Sequence, residues 1–64
     1  MFVIRVRDSW WVSEYNAQSM IVSKTAEKFM AKLFGTEVLA KKFIKKYADA
    51  GYGLKSEQCK VEKA

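Results

Sequence analysis

Hydrophobic and polar residues alternate along the first part of the chain, and successive side chains of a strand point to opposite faces. The pattern predicts strands at residues 2–7, 10–15 and 20–22, joined by short turns into an antiparallel meander. The core face is expected to carry Phe2, Ile4, Val6, Trp10 and Val12. The other face is expected to carry Val3, Arg5, Arg7, Trp11, Ser13 and Tyr15.

After residue 22 the apolar period changes to that of a helix. A first helix is predicted over residues 24–33, with Ser23 as its N-cap and Gly35 at its end. The residues at helical spacing are Ala26, Phe29, Met30 and Leu33. A second, longer helix is predicted over residues 37–50, with Thr36 as N-cap and Gly51 as the C′ residue. Its apolar stripe consists of Leu39, Ala40, Phe43, Ile44 and Tyr47.

Residues 57–62 alternate again, with Cys59 and Val61 on one face, and predict a last strand that pairs back onto the sheet. The element order is therefore β-β-β-α-α-β in a single domain, residues 1–64. We expect the α+β class, with a small antiparallel sheet and one long amphipathic helix packed on one face.

Composition narrows the range of functions. A chain of 64 residues with one Cys and no His has neither a disulfide partner for Cys59 nor the usual zinc ligands. We expect no metal, no cofactor and no enzymatic activity, because the usual proton shuttle and activated nucleophiles are missing. Apolar runs of at most four residues predict no membrane contact and a cytoplasmic protein.

The net charge of +5 is concentrated in part on the longer helix. Four lysines, Lys41, Lys42, Lys45 and Lys46, form two like-charged pairs at i,i+4 spacing, which is unfavourable by a few tenths of a kcal/mol per pair. One interpretation is a positive surface for nucleic acid or an acidic protein. The other is a solvated helix face that keeps a small protein soluble.

Trp10 and Trp11 are adjacent, so they must lie on opposite faces of their strand. We expect Trp11 to be the more exposed of the two. With Tyr15, Arg5 and Arg7 it would form an aromatic and basic patch of the kind found at binding hot spots. The alternatives are that Trp11 packs under the first helix or the termini, or lies in a homodimer.

The opening Met1-Phe2-Val3-Ile4 and the Trp-rich hairpin resemble small uncharacterised proteins of phages and prophages of Gram-positive bacteria. The resemblance continues through Ala31-Lys32-Leu33-Phe34-Gly35-Thr36, a helix with Ala40 and Phe43 facing inward, and a closing strand at Lys60-Val61-Glu62. It implies that Phe34 is buried and that the first helix ends before Leu33. It also implies a stoichiometric effector, such as an anti-CRISPR inhibitor.

The leading hypothesis is a phage-type protein that inhibits or redirects a host or defence protein, or a nucleoprotein complex. Its contact surface would be Arg5, Arg7, Trp11 and Tyr15, with Lys41, Lys42, Lys45 and Lys46 steering the encounter. The alternative is a small nucleic-acid-binding domain whose helix lysines contact phosphates. A third hypothesis is a homo-oligomer that captures a small anionic ligand at its interface.

Overall fold

Four antiparallel strands form one sheet in the order β3-β2-β1-β4. The computed structural model describes all 64 residues. The strands are β1 (Phe2–Val6), β2 (Trp10–Asn16), β3 (Ile21–Thr25) and β4 (Cys59–Lys63), and the one α-helix is α1 (Glu37–Tyr47). Helix α1 packs against β1 and β4. The α+β class with one amphipathic helix on one face of a small sheet is therefore confirmed.

The core lies between the sheet and α1 and consists of apolar side chains alone. Its buried members are Ile4, Val6, Val12, Val22, Phe34, Ala40, Ala48 and Leu54. Cys59 and Val61 pack against this cluster from β4, on the face that their alternation predicts. Burial of each large apolar side chain stabilises the fold by roughly 1.5–3 kcal/mol, so the alternation in β1 and β4 is sufficient to fix which face is inward.

Strand β1 lies inside the sheet, between β2, which follows it directly in sequence, and β4, which lies at the other end of the chain. Phe2 pairs with Lys63 and Val6 with Cys59 on one side, and Val6 pairs with Trp10 on the other. The Ala64 amide also donates to the Met1 carbonyl at 3.1 Å. The two ends of the chain therefore lie side by side.

Helix α1 begins as its sequence predicts and ends earlier. The Thr36 hydroxyl accepts a hydrogen bond from the Leu39 amide at 3.1 Å, which confirms the N-cap. The prediction of a helix to residue 50 with Gly51 as C′ is wrong, because the helix ends at Tyr47. The Asp49 amide donates to the Leu54 carbonyl instead, which turns the chain back toward the sheet. Leu39 is exposed, unlike the rest of its predicted stripe.

Strands β1 and β2 are paired only next to their connecting turn and diverge beyond it. We call the gap between them the fork. They pair only at Arg5–Trp11 and Val6–Trp10, and beyond Val12 a bulge shifts the register of β2. Residues 32–34 fill the gap: the Lys32 amide donates to the Val12 carbonyl, and Phe34 exchanges two 2.8 Å backbone hydrogen bonds with Phe2. Residues 32–34 thus act as a short additional strand between β1 and β2.

This fork explains why the predicted helix over residues 24–33 does not form. Strand β3 continues to Thr25, and only a 3₁₀ turn at Lys28–Met30 follows. Extended backbone over residues 32–34 is held by hydrogen bonds to β1 and β2, and this tertiary context outweighs the helical spacing of the side chains. Phe34 is buried, as the resemblance implies.

Candidate interaction surfaces

Four side chains from four segments form a polar network on the sheet face opposite α1. We call Arg5, Trp11, Lys28 and Glu62 the Glu62 network. Arg5 Nε donates to Glu62 Oε1 at 2.5 Å, Lys28 Nζ donates to Oε2 at 2.9 Å, and Trp11 Nε1 donates to Oε1 at 3.3 Å. The Arg5 guanidinium also lies 5.1 Å from the centroid of the Trp11 ring.

Glu62 is the electrostatic centre of this network. The hydrogen bonds from Arg5 and then Lys28 lower the pKa of Glu62 to about 2, against an ordinary value of 4.5. The hydrogen bond to Glu62 in turn raises the pKa of Arg5. Both groups are ionised at neutral pH, so the Glu62 carboxylate compensates one of the two positive charges of Arg5 and Lys28 within the protein.

The face that carries the Glu62 network is more covered than its sequence predicts. Val3 is fully buried on this face, and Ala31, directly after the 3₁₀ turn, is the other buried residue outside the main core. Trp11 is half-buried, whereas Trp10 has 46% of its surface exposed. The expectation that Trp11 is the more exposed tryptophan is therefore wrong, because the segment after β3 packs against β2.

Tyr15 does not lie beside Trp11. The bulge between Val12 and Glu14 inserts one residue, so that Tyr15 returns to the face of Val12 and pairs with Val22. There its ring stacks on Tyr47, with centroids 4.4 Å apart, and meets Tyr52 edge-on at 5.4 Å. The predicted placement of Tyr15 in the aromatic and basic patch is wrong. The Tyr15 side chain instead packs between the sheet and α1.

Arg7 occupies the turn between β1 and β2 and is exposed. Its backbone amide donates to the Gln58 carbonyl at 2.9 Å. With the Gln58 amide oriented so that its oxygen faces the Arg7 guanidinium, that oxygen accepts a hydrogen bond from Arg7 Nη2 at 3.2 Å. Of the four predicted contact residues, the structure therefore brings only Arg5 and Trp11 into direct contact through their side chains.

The four lysines of α1 are all exposed. Their ion pairing is limited to Lys41, whose Nζ lies 3.9 Å from Glu37 Oε1. Lys45 and Lys46 stand in the last turn, where positive charge is favourable for the helix dipole. Their positions thus have a structural reason, and they also leave a positively charged outer helix face.

Large apolar side chains are exposed along residues 29–39, a feature that the sequence reasoning missed. The most exposed is Phe29, at 81%. Each of the five is more than half exposed, and they are Phe29, Met30, Leu33, Val38 and Leu39. We call these five residues the apolar surface. The signal in the sequence was that the chain has more large apolar residues than the core of so small a domain can hold.

The thiol of Cys59 is half-buried at the start of β4. Burial raises its pKa above the ordinary value of 9.0, and Sγ donates to the Lys55 carbonyl at 3.3 Å. The thiol is therefore protonated at neutral pH, and a thiol is a far weaker nucleophile than a thiolate.

No family model, curated protein or solved structure matches the chain. None of its helices has the length and apolar character needed to cross a membrane.

Proposed function

We propose that the protein acts by stoichiometric binding to another protein, with the apolar surface as the centre of the contact. The observation that carries this proposal is the exposure of five large apolar side chains within eleven residues of chain. Exposed apolar patches mark sites of interaction, and five of the nine exposed large apolar side chains of the chain fall in this short segment. Aromatic and Met side chains such as Phe29 and Met30 are also enriched in interface cores.

The segments that carry these residues are held by hydrogen bonds, which reduces the conformational entropy lost on binding. The 3₁₀ turn that carries Phe29 and Met30 is held by the hydrogen bond from Lys28 to Glu62. Leu33 lies inside the segment that fills the fork between β1 and β2. Val38 and Leu39 stand in the first turn of α1, directly after the Thr36 cap. Arg5 and Trp11 lie beside the same turn through Glu62 and form the polar rim.

The resemblance to small phage proteins supports a particular class of partner. We propose that the partner is a host or defence protein, or a nucleoprotein complex, that this protein inhibits or redirects. With a net charge of +5, the chain is a poor imitation of DNA. Inhibition would therefore depend on occupying a protein surface or blocking a conformational step.

A capture experiment with matched variants tests the proposal. Tagged wild type, Phe29→Ser and Ile21→Ser are used as baits in nuclease-treated bacterial lysate. Ile21 is the control because it is another exposed large apolar residue, at the start of β3 and outside the apolar surface. We expect wild type and Ile21→Ser to retain one protein in stoichiometric amount, and Phe29→Ser to lose it.

Phage plaque counts supply the functional readout. In a host whose defence system restricts the phage, expression of the wild type should restore plaques, and expression of Phe29→Ser should not. Equal capture by all three baits, or equal plaque counts for wild type and Phe29→Ser, would contradict the role of the apolar surface.

Binding of nucleic acid through the lysines of α1 is the second candidate, because all four are exposed and only Lys41 has an acidic neighbour within 4.0 Å. Phosphate contacts predict that log K falls with log salt by about 0.9 for each duplex phosphate neutralised. A Lys42→Gln/Lys46→Gln variant should then show a smaller salt slope than the wild type. Binding to duplex DNA that is too weak to measure at low salt would exclude this function.

A further inference from the structure

A cleft of about 750 Å³ opens at the end of the sheet where β1 ends and β2 begins. It lies between this sheet end and the connection from α1 to β4, which contributes Leu54 and Lys55. None of the residues of the apolar surface lines it. Its volume falls in the range of about 300–1,000 Å³ that is typical of small-molecule sites.

The apolar part of the cleft combines buried aliphatic side chains with an accessible aromatic ring. Val6 and Leu54 line it and are both almost completely buried. Trp10 lines the same cleft with 46% of its surface exposed. The ring of Trp10 is therefore available for stacking with a flat ligand, and indole is a strong stacking partner for such rings.

The polar part of the cleft is positively charged. Arg7, Lys24 and Lys55 line it, against the single carboxylate of Asp49. That carboxylate is already engaged, since Asp49 accepts hydrogen bonds from the amide and the hydroxyl of Ser56. Lys24 Nζ donates to the Gly53 carbonyl at 2.6 Å, which fixes the ammonium at the cleft and leaves it further N–H donors.

We propose that this cleft binds a nucleoside phosphate, with the base stacked on Trp10 and the phosphate bound by Lys24, Lys55 and Arg7. A ligand of this class is the one that uses both parts of the lining, because it joins a flat aromatic ring to an anion. Val6 and Leu54 form the apolar floor of the cleft, and the excess of cations over Asp49 compensates the phosphate charge. The same chemistry is present in a free nucleotide and in a single-stranded nucleic acid.

Titration of the ¹⁵N-labelled protein with AMP, GMP, CMP and UMP tests the proposal by NMR. The indole N–H resonance of Trp10 should shift on binding, whereas that of Trp11, hydrogen-bonded to Glu62 on the opposite face, should not. Adenosine and inorganic phosphate, each carrying half of the ligand chemistry, should bind at least about tenfold more weakly than AMP.

Variants separate the two parts of the site. Trp10→Ala should weaken nucleotide binding by at least about fivefold, because base stacking on an aromatic residue is lost. Lys55→Gln, an exposed change that breaks no side-chain hydrogen bond, should weaken binding by about tenfold. Lys63→Gln, an exposed change at the other end of the sheet, should leave binding unchanged.

A single-stranded oligonucleotide distinguishes the two sources of the ligand. Tighter binding of (dT)₈ than of any mononucleotide, through the same Trp10 resonance, identifies a nucleic acid strand as the ligand. Equal or weaker binding identifies the free nucleotide. The proposal is overturned if no nucleotide or oligonucleotide binds with a dissociation constant below about 1 mM, or if Lys55→Gln and Lys63→Gln bind equally well.

Discussion

Replacing Glu62 with glutamine removes one negative charge from the centre of the Glu62 network and nearly preserves the size of the side chain. The variant keeps an oxygen that can accept from Trp11 but loses the ion pairs with Arg5 and Lys28. A carboxylate with a pKa of about 2 in place of 4.5 corresponds to at most about 3 kcal/mol of stability. Because the Glu62 side chain is 25% exposed, solvent screening reduces this, and we expect a loss of about 1–2 kcal/mol at neutral pH.

The pH dependence of the free energy of unfolding tests the contribution of Glu62 more specifically. Since the pKa of Glu62 is lowered in the folded protein, the unfolded chain binds the proton more tightly, and stability rises with pH in this range. The contribution of Glu62 is complete above about pH 4.5 and is lost as the pH falls through about 2. Hydrogen bonds from Ser56 also lower the pKa of Asp49, but wild type and variant share that contribution.

Urea denaturation followed by tryptophan fluorescence, repeated from neutral pH to about pH 2, measures both quantities. Glu62→Gln should lower the free energy of unfolding at neutral pH, and its difference from wild type should disappear toward pH 2. Glu14→Gln is the matched control, because Glu14 is an exposed strand carboxylate without an ion pair, and should change stability by less than about 0.5 kcal/mol. A difference between wild type and Glu62→Gln that stays constant across the whole pH range would refute the reasoning.

Three further variants or treatments test local features. Thr36→Ala should cost about 1 kcal/mol in urea denaturation because the cap of α1 is lost, and Thr36→Ser should recover most of it. Phe34→Ala should cost about 3–5 kcal/mol, enough to unfold much of so small a domain at 25 °C by circular dichroism, whereas a loss below about 1 kcal/mol would show that the fork does not depend on this side chain. Cys59 should react with a thiol reagent at pH 8 more slowly in the folded protein than in urea, because burial raises its pKa, and equal rates would contradict this.

The parts of the fold that sequence analysis predicted depend on local information. The alternation over residues 2–6 and the Thr36 cap each act within a few residues, and both features are present in the structure. The bulge in β2 could not be predicted, because Val12, Ser13 and Glu14 continue the alternation without interruption. At the bulge, the Val12 carbonyl accepts a hydrogen bond from the Lys32 amide, which comes from a segment distant in sequence.

The candidate surfaces also divide into contacts set by neighbouring strands and contacts set by segments distant in sequence. Arg5 and Trp11 were expected together because neighbouring strands place them on one face, and they are cross-strand partners. Glu62 and Lys28 were not expected there, since they come from segments distant in sequence. The apolar surface was missed for a different reason: the helical spacing of Phe29 and Leu33 gave their hydrophobicity an apparent structural explanation.

The central position of β1 has a consequence for the rate at which the protein folds. Every pair between β1 and β4 joins residues more than fifty positions apart, so β4 joins the sheet only after an almost complete loop has closed. The Met1 carbonyl and Ala64 amide are in hydrogen-bond contact, so a short linker could join the ends and make β4–β1 a hairpin. A cyclised form of the protein, with this linker and no new break in the chain, should therefore fold faster than the linear chain, because the β1–β4 pairing becomes local and the β2–β3 hairpin is kept. Stopped-flow fluorescence would measure the change, and an unaltered folding rate would show that β1–β4 pairing follows the rate-limiting step.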